Sequence, residues 1–181
     1  VHRSRLSTVV LAPGSFRMDA YQLETGEPLW WVERLPSEMK SVPVVLEDTV
    51  YVSGYNLAEN EPGRQIQIRS FKEVLTAHDK DADGLLRREE SPDEMTRKYY
   101  PYVDLDHDGL LNEREWSIYA AAFKAENSLQ AIRLNGRGDV TATNIKWKHH
   151  RAIPQLPSVL AYRGELYMIS DNGVLTILDA A

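Results

Sequence analysis

Two hydrophobic patterns follow one another along the chain. Short runs of mixed apolar and polar residues between turn residues predict β-strands near residues 8–12, 18–23, 29–33, 42–46 and 50–53. Comparable runs return near residues 129–133, 145–148, 158–161, 166–170 and 174–178. Between residues 69 and 127 apolar residues instead recur three and four positions apart, as at Phe71, Val74 and Leu75, which predicts helices. We therefore expect an α+β protein in which a helical segment interrupts a β-rich one.

The two β-rich segments resemble each other. Pro43-Val-Val-Leu followed by Val50-Tyr-Val-Ser recurs as Pro157-Ser-Val-Leu followed by Leu166-Tyr-Met-Ile-Ser. Upstream of these runs, Ala20 and Trp30 correspond to Ala131 and Trp147. Ala20 and Ala131 are 111 residues apart, and removal of an insert of about 71 residues leaves a period of about 40. That period is typical of the four-stranded blades of β-propellers.

A family resemblance accompanies the repeat. The run from Asp19 to Trp30, with its Thr-Gly turn, resembles the repeat of quinoprotein-type (PQQ-like) β-propellers, which include the bacterial lipoproteins of outer-membrane protein assembly. The resemblance implies propeller blades in residues 1–55 and 128–181, with residues 56–127 inserted between two blades. The non-inserted residues suffice for about two to three antiparallel blades, so we expect a partial β-propeller belonging to a longer one. The family also implies an extracytoplasmic setting, periplasmic or associated with the outer membrane.

The inserted segment contains two acidic twelve-residue loops, at residues 79–90 and 104–115. In an EF-hand, oxygen ligands for Ca²⁺ stand at positions 1, 3, 5, 7 and 12, with glycine at position 6. Both loops match this spacing, and Gly84 and Gly109 occupy the sixth positions. We therefore expect two bound Ca²⁺ ions, with the ligands Asp79, Asp81, Asp83, Leu85 through its carbonyl, and Glu90 in the first loop, and Asp104, Asp106, Asp108, Leu110 through its carbonyl, and Glu115 in the second.

Details of the two loops refine this expectation. Leu86 and Leu111 occupy position 8, where paired EF-hand loops meet. Position 9 is Asn112 in the second loop but Arg87 in the first, so we expect the first loop to bind more weakly. One short helix must serve both loops, capped by Ser91 and ended by Pro101. A helix this short argues against a large opening movement of the calcium-sensor type.

Composition excludes several classes of function. The formal net charge of −6 offers no electrostatic footprint for nucleic acid, and the absence of cysteine excludes disulfides and thiolate metal sites. No apolar run is long enough for a transmembrane helix, and the first residues lack the hydrophobic stretch of a signal peptide. The chain contains no recognised nucleophile, metalloprotease or kinase motif, so we expect no catalytic residues.

Three functions remain open. The first is a non-catalytic, calcium-binding propeller that acts as a scaffold or interaction module for another protein or for the remaining blades. The second is part of a PQQ-dependent dehydrogenase, in which Trp30, Trp31 or Trp147 would stack on the cofactor, although such tryptophans more often pack between blades. The third is a calcium-responsive switch in which the helical insert controls a partner of the propeller.

Overall fold

The chain forms both helices and strands. The structure, a computed structural model, describes residues 2–3 and 8–181. Residues 1 and 4–7, where the first predicted propeller segment begins, lie outside the described residues. The chain divides into two compact units: the β unit, Val1–Gln65 with Ala125–Ala181, and the helical unit, Ile66–Lys124.

Strands dominate the β unit, and three of the four α-helices found in the described part of the chain lie in the helical unit. The helices are α1 (Phe71–His78), α2 (Glu94–Val103), α3 (Glu113–Lys124) and α4 (Thr141–Asn144). The strands are β1 (His2–Arg3), β2 (Thr8–Gly14), β3 (Arg17–Gln22), β4 (Pro28–Glu33), β5 (Val44–Leu46), β6 (Thr49–Gly54), β7 (Ser128–Arg133), β8 (Gly138–Asp139), β9 (Ile145–His149), β10 (Leu160–Tyr162), β11 (Glu165–Ile169) and β12 (Leu175–Asp179). The predicted mixture of α and β structure is confirmed.

The strands form three sheets. The first sheet has the order β1-β2-β3-β4-β8, the second β5-β6-β7-β9 and the third β10-β11-β12. Neighbouring strands are antiparallel, except that β8 runs parallel to β4. None of these sheets closes into a barrel within the described residues.

The internal repeat has a counterpart in strand register. Ala20 pairs with Trp30 across β3 and β4, and Ala131 pairs with Trp147 across β7 and β9. In both sheets the register shifts immediately after the alanine. The two positions related in sequence therefore occupy the same place in two successive sheets.

Alternation of apolar side chains creates a core on each face of the second sheet. Val50, Val52 and Ile132 on one face pack in a buried cluster with residues of the first sheet, Met18, Ala20, Trp30 and Val32. Tyr51, Leu129 and Ala131 on the opposite face pack with residues of the third sheet, Leu166 and Met168. The second sheet is thus covered by apolar side chains on both faces.

The third sheet is buried on one face only. Leu166 and Met168 of β11 are fully buried, whereas their neighbour Ile169 is exposed. Large apolar side chains continue on the exposed face, hereafter the open face, which comprises Leu160, Tyr162, Ile169, Leu175 and Ile177. Because side chains of a strand alternate between faces, this sheet is apolar on both sides but covered on one.

The helical unit is inserted between β6 and β7, which are two strands of the same sheet. The strands that flank it, β6 and β7, are hydrogen-bonded neighbours in the second sheet, with Gly54 opposite Ser128. Two buried asparagines hold the chain ends together: Asn127 Nδ2 donates to Leu57 O (2.6 Å), and Asn60 Nδ2 donates to Ala125 O (2.8 Å). These contacts form the neck of the insertion.

Helix capping in the helical unit differs from the expectation for α2. Ser70 caps α1, since its hydroxyl accepts from Glu73 N while the Glu73 carboxylate accepts from Ser70 N. For α2 the cap is Asp93 and not Ser91, because the Ser91 hydroxyl donates to Arg88 O at the end of a 3-10 helix, Arg88–Glu90.

Pro101 lies inside α2 and does not end it. A proline removes one helical hydrogen bond but has a backbone torsion that suits a helix, so a final turn can continue past it. The helix ends at Val103, and Asp104 N still donates to Tyr100 O at 2.9 Å. Asp104 is therefore both the C-terminal cap of α2 and the first residue of the second acidic loop.

Candidate metal centre

The first acidic loop begins where α1 ends. Asp79 is the C-terminal cap of α1, and its carboxylate accepts from Ala82 N (2.8 Å) and Gly84 N (3.0 Å). Gly84 has a positive φ of 80°, which glycine adopts without strain, so the chain turns back sharply at this position. The turn brings one carboxylate oxygen each of Asp79, Asp81 and Asp83 within 4.8 Å of one another, a grouping that could hold a metal ion.

Glu90, the last residue of this loop, is buried and held by the backbone. Its Oε1 accepts from Lys80 N (2.8 Å) and its Oε2 from Arg87 N (2.9 Å). These two bonds, the one from Arg87 being the stronger influence, lower the pKa of Glu90, so the carboxylate is ionised at neutral pH. Each carboxylate oxygen has two lone pairs, so both oxygens retain capacity to bind a cation.

The second loop repeats this construction. Asp104 Oδ2 accepts from Gly109 N (3.0 Å), Gly109 has a φ of 83°, and Asp104, Asp106 and Asp108 form the second group of three that could hold a metal ion. Glu115 is buried, with Oε1 accepting from Leu105 N (2.8 Å) and Oε2 from Asn112 N (3.0 Å). The structure thus brings the three predicted aspartates of each loop together. Glu90 and Glu115 are the last residues of their loops and do not belong to these groups of three.

Leu85 and Leu110 are the predicted carbonyl ligands, and the N–H of the peptide that precedes each of them donates to an aspartate of the same loop. Leu85 N donates to Asp83 Oδ1 (2.9 Å), and Leu110 N donates to Asp108 Oδ1 (2.8 Å). The bond from Leu85 is the main cause of a lowered pKa of Asp83. Each bond fixes its peptide beside the group of aspartates in the same loop.

One carboxylate oxygen in the second loop has no hydrogen-bond donor. Asp104 is 6% exposed, and its Oδ1 is buried without a partner among the described residues. Leaving an ionised group buried and unpaired is costly, and buried charges are normally paired or bound to a metal. The unsatisfied oxygen lies in the same carboxylate that accepts from Gly109, within the group of three aspartates.

The two loops are joined to each other through their eighth residues. Leu86 and Leu111 form an isolated antiparallel bridge, as expected from their positions, and both side chains are buried. The Tyr100 hydroxyl donates towards Leu86 O (2.7 Å) and Gly109 O (2.8 Å), so α2 also contacts both loops. Burial raises the pKa of Tyr100, which keeps the hydroxyl protonated and able to donate.

Arg87 has a role that the sequence analysis missed. Its position was interpreted only as the loss of an oxygen ligand, but its Nη1 lies 2.6 Å from Asp81 Oδ2 and 2.8 Å from Asp83 Oδ2. The available signal was an arginine within the same twelve-residue loop as the aspartates, since the i,i+4 pairing rule applies to helices and residues 83–87 are not helical. Tyr100 was also missed, because nothing in its spacing marks a side chain that bridges two loops.

Elsewhere the described residues offer no comparable centre. The two groups of aspartates are the only clusters of three or more histidine or acidic side chains in the described chain that could hold a metal ion. Trp30 is buried in the core, and the adjacent histidines His149 and His150 contact backbone oxygens of Arg151 and Asn127. Within the described residues, no helix has the length and apolar character needed to cross a membrane.

No protein-family model matches the chain, and no curated protein matches it significantly.

Proposed function

We propose that the helical unit binds two Ca²⁺ ions, one in each acidic loop. The ligands in the first loop are the carboxylates of Asp79, Asp81, Asp83 and Glu90 with the Leu85 carbonyl. Those in the second loop are the carboxylates of Asp104, Asp106, Asp108 and Glu115 with the Leu110 carbonyl. Bound calcium would neutralise the repulsion among carboxylates and stabilise the folded loops.

The main support for this proposal is the buried carboxylate oxygen Asp104 Oδ1. If the second loop had only a structural role, hydrogen bonds alone could pair its buried carboxylate oxygens, as Gly109 N does for Asp104 Oδ2. The partner-free Oδ1 instead leaves a buried negative oxygen inside a group of three carboxylates. A cation bound there would supply the missing partner.

The donor set favours Ca²⁺ over transition metals. Every side chain in the two groups is a carboxylate, and neither group contains histidine. Hard oxygen donors suit Ca²⁺ and Mg²⁺, whereas zinc and copper sites use imidazole or thiolate. Three aspartates with a glutamate and a carbonyl in a flexible loop suit the six to eight ligands of Ca²⁺ better than the strict octahedron of Mg²⁺.

Calorimetric titration of chelator-treated protein with Ca²⁺ tests the proposal. We expect two binding events per chain, and Glu115→Gln should weaken one of them by at least about tenfold because it removes a charged ligand. Glu113→Gln is the matched control, since Glu113 is an exposed glutamate in the same helix and is not one of the proposed ligands. Absence of Ca²⁺ binding up to millimolar concentrations would refute the proposal.

For the β unit we propose a non-catalytic scaffold of β-propeller type. The repeated register of Ala20 with Trp30 and Ala131 with Trp147 supports successive sheets of common design. The open face supports an interaction role, because exposed apolar patches of this kind mark binding surfaces. Its partner would be another protein or a further β-sheet, in an extracytoplasmic compartment where millimolar calcium suits loops of modest affinity.

An experiment can distinguish the proposed scaffold role from a role in a PQQ-dependent dehydrogenase. Trp30 packs in the core shared by two sheets, and its burial leaves no open ring face for a quinone cofactor. We expect no oxidation of an alcohol when PQQ and an electron acceptor are added to calcium-loaded protein. Turnover that requires PQQ would contradict the scaffold proposal without affecting the proposed calcium sites.

A further inference from the structure

We propose that Arg87 is an internal counter-cation of the first loop, which competes with the metal ion for Asp81 and Asp83 and makes the second loop fill first. This inference rests on the proposed calcium sites; the sequence already predicts weaker binding in the first loop, and the structure adds the contacts of Arg87 that would cause it. It replaces the simpler interpretation in which position 9 of the first loop only lacks an oxygen ligand.

The geometry holds the Arg87 guanidinium against the carboxylates. Nη1 lies 2.6 Å from Asp81 Oδ2 and 2.8 Å from Asp83 Oδ2, so one nitrogen contacts two of the three grouped aspartates. The backbone of Arg87 is anchored at the same time, because its N donates to Glu90 Oε2 at 2.9 Å. The side chain therefore starts from a fixed point beside the loop, and its positive charge is permanent at any physiological pH.

The second loop has no such cation. Its position 9 residue, Asn112, turns its Oδ1 to Arg114 N (3.0 Å) and Glu115 N (3.1 Å), where it caps α3. Among the described residues, ion pairs with grouped aspartates are formed in the first loop alone. The first loop also carries Lys80 and Arg88, where the second has Leu105 and Glu113, but among the described residues Arg87 alone forms ion pairs with grouped aspartates.

This difference acts on the metal in two ways. An ion entering the first loop must displace the Arg87 side chain from Asp81 and Asp83, and it then experiences repulsion from the guanidinium. A unit charge and a divalent ion about 5 Å apart in a water-like dielectric repel by an energy equivalent to about a tenfold change in Kd. The Asp81 and Arg87 side chains are half-exposed, so this water-like estimate is the appropriate one.

Amide NMR of the full chain during a Ca²⁺ titration can follow each loop separately. The Gly84 and Gly109 amides each donate to the first aspartate of their own loop, so their resonances report occupancy loop by loop. In the unmodified protein we expect Gly109 to respond at lower Ca²⁺ than Gly84. In Arg87→Gln the Gly84 midpoint should fall about tenfold while the Gly109 midpoint changes by less than about twofold.

Arg88→Gln is the matched control for charge. Arg88 is the exposed neighbour of Arg87, and its substitution removes the same charge without removing the contacts to Asp81 and Asp83. Arg87→Asn introduces the residue found at position 9 of the second loop and should reproduce the effect of Arg87→Gln. It replaces Arg87→Gln in the test if glutamine disturbs the fold.

Three results would overturn the inference. In the unmodified protein, Gly109 and Gly84 could respond at the same Ca²⁺ concentration, or Gly84 could respond first. The Gly84 midpoint could stay unchanged in both Arg87 variants, or it could shift as much in Arg88→Gln as in Arg87→Gln. Failure of both glycines to respond to Ca²⁺ would instead refute the proposed calcium sites themselves. The experiment therefore distinguishes a wrong role for Arg87 from the absence of the calcium sites.

Discussion

Leu86 and Leu111 exchange a pair of backbone hydrogen bonds, Leu86 N to Leu111 O at 3.0 Å and Leu111 N to Leu86 O at 2.8 Å. This is the shortest possible antiparallel ladder, and it joins the two acidic loops directly. Both leucine side chains are buried, so the ladder is also part of the core of the helical unit. The ladder therefore fixes the backbone of one loop in position against the backbone of the other.

Leu111→Ala should destabilise the helical unit. Leu111 is fully buried, and truncation of a buried leucine removes apolar contacts and leaves a cavity, at a cost of about 3 kcal/mol. We expect chemical denaturation followed by helical circular dichroism to show this loss. Leu105→Ala is the control, because Leu105 lies in the second loop but is 51% exposed and should change stability by less than about 0.5 kcal/mol.

Tyr100→Phe should also destabilise the helical unit, by removing the hydroxyl that contacts both loops. The single hydroxyl proton is shared between Leu86 O and Gly109 O, and its loss is expected to reduce the free energy of unfolding by about 1 to 2 kcal/mol. The comparison is Tyr102→Phe in the same helix, where the tyrosine is 78% exposed. Equal stability of the two variants in denaturant titrations would show that the Tyr100 hydroxyl makes no net contribution.

Gly54→Ala tests the close packing at the end of β6. A Cβ at Gly54 would lie 2.7 Å from Glu38 O and 2.8 Å from Pro36 Cβ, so the backbone must move to accept a methyl group. We expect a lowered thermal midpoint and a loss of about 1 to 3 kcal/mol from the β unit. Gly14→Ala is the control, because its nearest contact would be Arg17 O at an ordinary 3.6 Å.

Sequence reasoning succeeded where a pattern is local or repeated. The aspartates of each loop are gathered by a single glycine turn, so their spacing was enough to predict that they meet. Alternation of apolar residues placed the strands, and the repeat related Ala20 to Ala131 before their pairing with Trp30 and Trp147 was known. These features depend on neighbours within a few residues or on comparison of two similar segments.

The predictions were wrong where the position of a residue in the fold depends on which of several contacts it makes. Ser91 has the chemistry of a helix cap, but its hydroxyl is used by the preceding 3-10 helix, which leaves Asp93 as the cap. Pro101 signals the end of a helix in sequence, whereas the structure tolerates the loss of one bond within α2. The pairing of β6 with β7 across more than 70 residues was not predicted, because it cannot be read from either strand alone.

The neck formed by Asn60 and Asn127 makes the helical unit a removable module. Gly54 and Ser128 are paired neighbours, and adjacent strands are about 5 Å apart, so the chain leaves the second sheet and returns to it at nearly one point. A hairpin of a few residues could span that distance in place of the whole insertion. The helical unit can therefore be exchanged for a short turn, and we expect the pairing of Gly54 with Ser128 to persist.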